Sequence, residues 1–196
     1  MKGGDYIKKF SIIYADCPWT YKAWSKRGKG MRVALNHYNT MTTEELCALP
    51  ISEICEKDCV LFMWTTFPQL FDCLKVISAW QFEYKTCGFV WLKTNKKSEG
   101  YFLGLGHYTR SNAEICLIAT RGTPPKRVSN KVRQLLISPI EQHSKKPDCT
   151  RDRIVELYSN LPRLELFARQ RAPGWDAIGN EIDGKDIRDA LREFTA

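Results

Sequence analysis

The sequence lacks the cysteine and histidine spacings that bind zinc or build a disulfide framework. Its eight cysteines include no Cys-x-x-Cys pair, and it has only three histidines. Cys55 and Cys59 lie four residues apart, but no second pair with the spacing of metal ligands follows them. Scattered single thiols are typical of reduced intracellular proteins. We therefore expect no metal site and a cytoplasmic location.

Long apolar runs and a dinucleotide-binding fingerprint are also missing. No run approaches the roughly 20 residues that span a bilayer, and the opening residues MKGGD do not begin a signal peptide. Gly104-x-Gly106 has no third glycine and does not open a predicted helix. The length of 196 residues and the 43% hydrophobic composition predict one domain, residues 1–196, with no membrane partner.

Acidic residues are absent from two basic tracts. Residues 20–43 contain Lys22, Lys26, Arg27, Lys29 and Arg32, and residues 121–133 contain Arg121, Lys126, Arg127, Lys131 and Arg133. The formal net charge is +8 and the isoelectric point is about 9.1. A single basic tract is commonly a solvated surface. Two tracts, each predicted to flank one pocket, favour a polyanionic partner such as nucleic acid.

Short apolar runs alternate with helical patterns along the chain. The predicted strands are residues 10–14, 59–64, 82–92, 113–120, 134–138 and 163–168. A capping box at Thr42–Glu45 opens one helix, and Pro68 begins another whose core face is Leu70, Phe71, Leu74 and Ile77. Further helices are predicted from about Thr150 and over Lys185–Phe194. This alternation is typical of a doubly wound α/β sheet.

The stretch Asp16-Cys17-Pro18-Trp19 follows the first strand, at the sheet edge where ligands bind. Methyl transfer to the exocyclic amine of adenine needs two acceptors for its N–H groups, because the nitrogen lone pair is delocalised into the ring. Asp16 can supply one acceptor, and the Cys17 carbonyl can supply the other. Trp19 offers an aromatic face for the base. Seen alone, the stretch also fits a plain strand-ending turn.

The tetrad resembles the Asp-Pro-Pro-Trp catalytic motif of the adenine-N6 methyltransferases of the MT-A70 family, which includes the catalytic subunit of the messenger-RNA adenosine methyltransferase. Cys17 replaces the first proline, a position that acts through its carbonyl. Further matches follow in the order of the family, between about Ile12 and Asp183: residues 38–41, 89–95, 114–117, 144–148, 165–169, Gly174-Trp175 and Gly179-Asn180-Glu181.

The resemblance implies a Rossmann-like class I methyltransferase fold, permuted so that the catalytic motif precedes the cofactor motif, with S-adenosyl-L-methionine as cofactor. The implied catalytic residues are Asp16, Cys17, Pro18 and Trp19. The implied cofactor contacts are Asp16, Pro18, Lys146, Phe167, Arg169, Asn180 and Glu181. The expected substrate contacts are Tyr21, Tyr38, Lys93, Asn95, His107 and Glu114, with Lys26, Arg27, Lys29, Lys126 and Arg127 on phosphates.

Several alternatives remain open at this stage. Glu114 also fits a salt bridge to a loop lysine, and His107 also fits a surface position without a role. We predict DNA as the substrate, because the chain has no zinc finger or low-complexity tail and so resembles bacterial and phage members. RNA, an inactive nucleic-acid-binding subunit, and a small amine or protein amide acceptor are the alternatives. The protein is expected to act in a bacterial or phage-infected cell, as a monomer or as a homo- or heterodimer.

Overall fold

The computed structural model describes residues 8–20, 40–106, 108–142 and 144–195. Its strands are β1 (Phe10–Ala15), β2 (Cys55–Thr65), β3 (Glu83–Thr94), β4 (Ala113–Arg121), β5 (Leu135–Pro139), β6 (Arg163–Leu166) and β7 (Asp176–Ile178). Its α-helices are α1 (Thr43–Cys47), α2 (Leu70–Ala79), α3 (Cys149–Tyr158), α4 (Asn180–Asp183) and α5 (Ile187–Thr195). No helix among these residues is long and apolar enough to cross a membrane.

All seven strands form one sheet in the order β5-β3-β4-β2-β1-β6-β7. β1 pairs in parallel with both β2 and β6, and β7 is parallel to β6. β4 is antiparallel to β2 and to β3, whereas β5 is parallel to β3. β2 therefore has one parallel and one antiparallel neighbour, and the sheet is mixed.

Helices cover both faces of this sheet, as a doubly wound fold requires. Alternate residues of β1 enter two different cores: Ile13 and Ala15 pack on one face, and Ile12 and Tyr14 pack on the other. The first core contains side chains of α1, α2 and α5, and the second contains Ile154 of α3. The predicted Rossmann-like fold class is confirmed.

The predicted core face of α2 is confirmed except at Phe71. Ile77 is buried, and Leu70 and Leu74 pack against the same core, but Phe71 is 79% exposed. The helix begins at Leu70, after a short 3-10 turn over Phe67–Gln69. The buried face also includes Cys73 and Val76, which the prediction did not name.

The other helix predictions are confirmed. The Thr42 hydroxyl accepts from the Glu45 N–H and the Glu45 carboxylate accepts from the Thr42 N–H, which completes the capping box of α1. In α5, Ile187 and Leu191 are buried, and the Phe194 ring lies edge-on to Phe10 with centroids 5.7 Å apart. The short strand β7 was missed, because three residues are too few to show a period.

Strand order changes direction between β1 and β6. The chain leaves β1 for β2 on one side, and it leaves β6 for β7 on the other. In open α/β sheets the crevice at such a switch point, beyond the carboxyl ends of the strands, is where ligands bind. Asp16 directly follows β1, and Phe167 directly follows β6. The fold thus places the two predicted motifs on opposite walls of one crevice.

Candidate active site

Most of the predicted site residues meet at this edge of the sheet, which we call the catalytic edge. They lie at the carboxyl ends of the parallel strands, at the start of the antiparallel β4, or in the loops that follow: Asp16, Cys17, Pro18, Trp19, Lys93, Asn95, Glu114, Lys146, Phe167, Arg169, Asn180 and Glu181. Tyr21, Tyr38, His107, Lys26, Arg27 and Lys29 lie outside the described residues.

The chain turns sharply at Pro18. The Trp19 N–H donates to the Cys17 carbonyl at 2.9 Å, and the Met41 N–H donates to the Pro18 carbonyl at 2.8 Å. A hydrogen bond across one central residue is a γ-turn, and the fixed φ of proline suits its common form. The Cys17 carbonyl keeps a second lone pair, so it can still accept a hydrogen bond from a substrate amine.

Two carboxylates and two lysines form a connected network beside this turn. The Lys146 ammonium contacts Asp16 Oδ2 at 2.8 Å, Glu114 Oε2 at 3.3 Å and the Ser144 carbonyl at 3.0 Å. Lys93 pairs with Glu114 Oε1. An ammonium has three hydrogens, so these three acceptors satisfy Lys146 completely. Glu114 thus makes the salt bridge to a loop lysine, Lys146, that was the alternative for it, and it also pairs with Lys93 at the end of β3; its contact with the substrate stays a prediction.

The charges of the network act on one another strongly because the side chains are shielded from water. Burial raises the pKa of Asp16, and the Lys146 ammonium opposes that rise. Burial alone would lower the pKa of Lys146, but Asp16 and Glu114 outweigh it and hold that pKa well above its ordinary value. Burial also acts to raise the pKa of Glu114, yet Lys146 and Lys93 together lower it. Lys146 thus acts to lower the pKa of both carboxylates.

Trp19 does not present the open face that the sequence predicted. Its side chain is buried, and Nε1 donates to the Trp64 carbonyl at 3.3 Å. It packs in the same core as Cys17 and Met41. An indole held in this way anchors the turn that carries Asp16. The open face that the sequence predicted is not seen in this structure, and we propose that Trp19 positions the turn.

We predict that Trp19→Ala lowers stability, because it empties a core site. Deleting a large aromatic side chain from a core typically costs about 3–5 kcal/mol, whereas Trp19→Phe should cost less because a ring still fills most of the volume. Urea unfolding of both variants measures the difference. A Trp19→Ala protein of unchanged stability and weakened substrate binding would instead restore the stacking role.

The second wall of the crevice is built by the connections after β6 and β7. Arg169 Nε donates to Glu181 Oε1 at 3.0 Å, which joins the two connections. A Cβ on Gly179 would lie 2.4 Å from the Ala168 carbonyl oxygen, so only glycine allows this close approach. Phe167 has φ +58°, an uncommon left-handed conformation for a bulky residue. Such strain is frequent at binding sites.

Sequence reasoning missed a buried ion pair next to the switch point. Arg151 Nη1 contacts both carboxylate oxygens of Glu165 at 3.1 Å, and its other terminal nitrogen pairs with Asp148. Burial raises the pKa of Glu165 to about 7, against the opposing effect of Arg151. A glutamate inside the last long apolar strand was the available signal, since a buried carboxylate needs a partner.

Lys126 and Arg127 lie away from this site, so their expected place beside the pocket was wrong, whereas their contact with phosphates stays a prediction. β4 runs antiparallel, so its last residue, Arg121, pairs with Cys59 near the other end of the sheet. Five or so residues of strand separate that level from Asp16, roughly 15–20 Å. The Val128 N–H donates to the Leu157 carbonyl near the C-terminus of α3, at the same far end.

The MT-A70 family model matches residues 10–181. The chain belongs to the MT-A70 family. It is 36% identical over 195 residues to the Type II methyltransferase M.MunI of a Mycoplasma species, with 92% of this chain and 81% of the relative covered. Identity to the N(6)-adenosine-methyltransferase MT-A70-like protein of Drosophila melanogaster is 28% over 184 residues, covering 91% of this chain and 28% of that protein.

This MT-A70 chain is also 27% identical over 186 residues to the N(6)-adenosine-methyltransferase catalytic subunit METTL3 of Homo sapiens, which covers 93% of this chain and 30% of METTL3. It therefore spans less than a third of the length of the two animal proteins. Family membership confirms the sequence prediction of an S-adenosyl-methionine-dependent adenine-N6 methyltransferase. The roles of individual residues remain predictions. Within the described residues, no group of three or more His, Cys, Asp or Glu side chains could hold a metal ion.

Proposed function

We propose that this MT-A70 enzyme methylates the exocyclic N6 amine of adenine in DNA, with Asp16 and the Cys17 carbonyl as the groups that hold the amine. The observation that carries the residue assignment is the meeting of Asp16, Glu114 and Lys146 at the switch point of the sheet. The similarity to M.MunI, a Type II methyltransferase of which 81% is covered by the match, supports DNA over RNA as the substrate. A cytoplasmic location and action as a monomer or dimer stay predictions.

The residues beyond β6 and β7 fit S-adenosyl-methionine by their chemistry. The exposed Asn180 amide and the Glu181 carboxylate can bind ribose hydroxyls, and half-buried Phe167 offers an apolar surface. Arg169 and Lys146 are the cations available for the methionyl carboxylate. Lys146 can take that role only by releasing one of its three acceptors. We expect Glu114, at 3.3 Å the longest contact, to be the one released.

Asp16 carries the acceptor role in this proposal. Lys146 binds its Oδ2, and among the described residues no donor contacts Oδ1, so one oxygen can face a substrate N–H. Asp16 and the Cys17 carbonyl together draw the nitrogen lone pair out of the ring and offset the positive charge that develops there. Bound S-adenosyl-methionine supplies the methyl group on a sulfonium. The raised pKa of Asp16 suits it to take the proton that the nitrogen must lose.

The test is a parallel assay of acceptors. The purified protein and cofactor carrying a labelled methyl group are incubated with DNA, with RNA and with a peptide mixture, and the labelled product is digested and identified. We expect N6-methyl-deoxyadenosine from DNA. Label only in RNA would move the acceptor to adenosine. No label in any acceptor, with intact cofactor binding, would favour an inactive nucleic-acid-binding subunit.

A salt titration tests where DNA phosphates are bound. We predict that Lys96→Ala/Lys97→Ala, two exposed lysines at the catalytic edge, reduces the slope of log affinity against log salt by about 0.9 per lost contact on duplex DNA. Lys126→Ala/Arg127→Ala is the matched control at the far end and should leave the slope unchanged. A reduced slope in the control pair would show that DNA extends to that end.

A further inference from the structure

The connection between β3 and β4 exposes apolar side chains that serve no core. Leu103 is 71% exposed and Leu105 is 92% exposed, and Tyr101 and Tyr108 are also exposed. Leucine is among the residues most often buried, and a run of apolar groups on a surface marks a contact site more often than chance placement does. The connection therefore carries a surface that needs a partner.

Glycines give this connection a narrow shape. A Cβ on Gly104 would lie 2.0 Å from the Ser111 carbonyl oxygen, and one on Gly106 would lie 1.8 Å from that of Thr109. The outgoing and returning segments thus lie against each other, and Leu103 and Leu105, which flank Gly104, are exposed. We call residues 101–106 and 108–111 the apolar finger. Only glycine at these two positions permits so thin a protrusion.

The base of the finger is fixed to the catalytic site. The Phe102 N–H donates to the Lys93 carbonyl at 2.9 Å, and the Lys93 N–H donates to the Asn112 carbonyl at 2.9 Å. Lys93 in turn pairs with Glu114, two residues beyond Asn112. The finger therefore stands at the catalytic edge, with both ends joined to the network that contains Asp16.

The charges around the finger favour a polyanion as its partner. Lys96, Lys97 and Arg110 are exposed beside it, and Glu99 is the one acid between residues 95 and 112. A protein partner would match this surface only if an acidic rim surrounded its apolar patch. A nucleic-acid duplex offers both parts, since its phosphates match the cations and its base stack accepts apolar side chains.

We propose that the apolar finger inserts into the duplex and that Leu103 and Leu105 fill the gap that the target adenine leaves in the base stack when it is flipped out. This inference rests on the proposed function and names the duplex form of its substrate. The Asp16 side chain is only 26% exposed, so the amine of a stacked, paired adenine cannot reach it. Extrusion costs stacking and pairing energy, and an inserted apolar wedge offsets part of that cost.

Methyl transfer to paired and unpaired DNA measures the effect. Unmethylated plasmid DNA and the same DNA after heat denaturation are given to the wild type, to Leu103→Ser/Leu105→Ser and to Val128→Ser, an exposed apolar control at the far end of the sheet. We expect the ratio of duplex to denatured activity to fall at least about tenfold in the double variant and to stay constant in the control. An unchanged ratio in the double variant overturns the proposal.

A second measurement needs no methyl transfer. Insertion between base pairs changes the twist of DNA, so relaxation of plasmid by a topoisomerase in the presence of saturating protein reports it. The wild type should shift the linking number, and the double variant should not. Absence of a shift in the wild type overturns the finger proposal, whereas a shift without methyl transfer to any DNA overturns only the proposed function. A wild-type dimer that the double variant converts to a monomer in sedimentation would assign the finger to a protein contact instead.

Discussion

Asp16→Ala is expected to lower the single-turnover rate of methyl transfer by about 10²–10³-fold, the usual loss when one preorganised group that stabilises developing charge is removed. In the proposed mechanism the carboxylate acts on the target amine, so the affinity for S-adenosyl-methionine should stay within a few-fold. Asp16→Asn should also be slow: the amide still accepts a hydrogen bond, but it carries no charge to offset that of the nitrogen. Labelled methyl incorporation gives the rate, and titration calorimetry gives the affinity.

Asp72→Ala is the matched control for this prediction. Asp72 lies in the first turn of α2 and pairs with Lys75 one turn away, so its loss removes a carboxylate outside the ion-pair network of Asp16, Glu114 and Lys146. Its rate should equal that of the wild type. A folded Asp16→Ala protein with full activity would remove Asp16 from the reaction. The network around Lys146 would then have to be explained as structural.

The sequence was sufficient where burial alone decides the structure. The apolar run that ends at Asp16 is buried on both faces between two parallel strands. Because a strand of this kind needs apolar residues throughout, the run predicted the strand, and the first polar residue after it predicted its carboxyl end. The capping box of α1 is equally local, because its two hydrogen bonds join residues three apart. The resemblance to the family motifs also predicted that the catalytic segment precedes the cofactor segment in the chain.

The errors arise where distant parts of the chain decide. Nothing local to residues 113–121 reveals that β4 runs antiparallel, and that reversal is what carries Lys126 and Arg127 to the far end of the sheet. Trp19 is an aromatic residue of the kind on which bases stack, but its indole N–H donates to the Trp64 carbonyl, 45 positions further along the sequence. Phe71 was predicted on the core face of α2 but is exposed, because the packing of the whole helix decides which of its residues border the core. Each outcome depends on tertiary contacts that no window of sequence contains.

Lys146 occupies the position with the widest influence on the site. It contacts both Asp16 and Glu114, and its side chain is only 8% exposed. The Glu114 charge raises the pKa of Asp16, whereas the Lys146 charge lowers it. Without Lys146, two carboxylates shielded from water would be balanced by Lys93, which pairs with Glu114, and by the weaker effect of Arg169 on Asp16. Losing one partner of a buried charge pair typically costs about 3–5 kcal/mol, so part of the effect should appear as lost stability.

Lys146→Met is expected to move the acid limb of the pH–rate profile to higher pH by about 1–3 units, the usual size of the effect of an adjacent opposite charge. The sign follows from the chemistry: the reaction needs ionised Asp16, Lys146 favours that form, and its loss raises the pKa below which activity disappears. Single-turnover rates between pH 5 and 9 at saturating cofactor would show the shift, with urea unfolding to measure stability.

Two companion variants separate charge from packing. Lys146→Arg keeps the cation and should hold the limb near its wild-type position. Lys146→Met/Glu114→Gln removes the like charge as well, so the limb should return part of the way, because Glu114 is the carboxylate that raises the pKa of Asp16. A limb that stays fixed in Lys146→Met would mean that the observed titration belongs to another group. If the limb shifts equally with and without Glu114, the Glu114 charge does not raise the pKa of Asp16, and Lys146 acts on Asp16 alone.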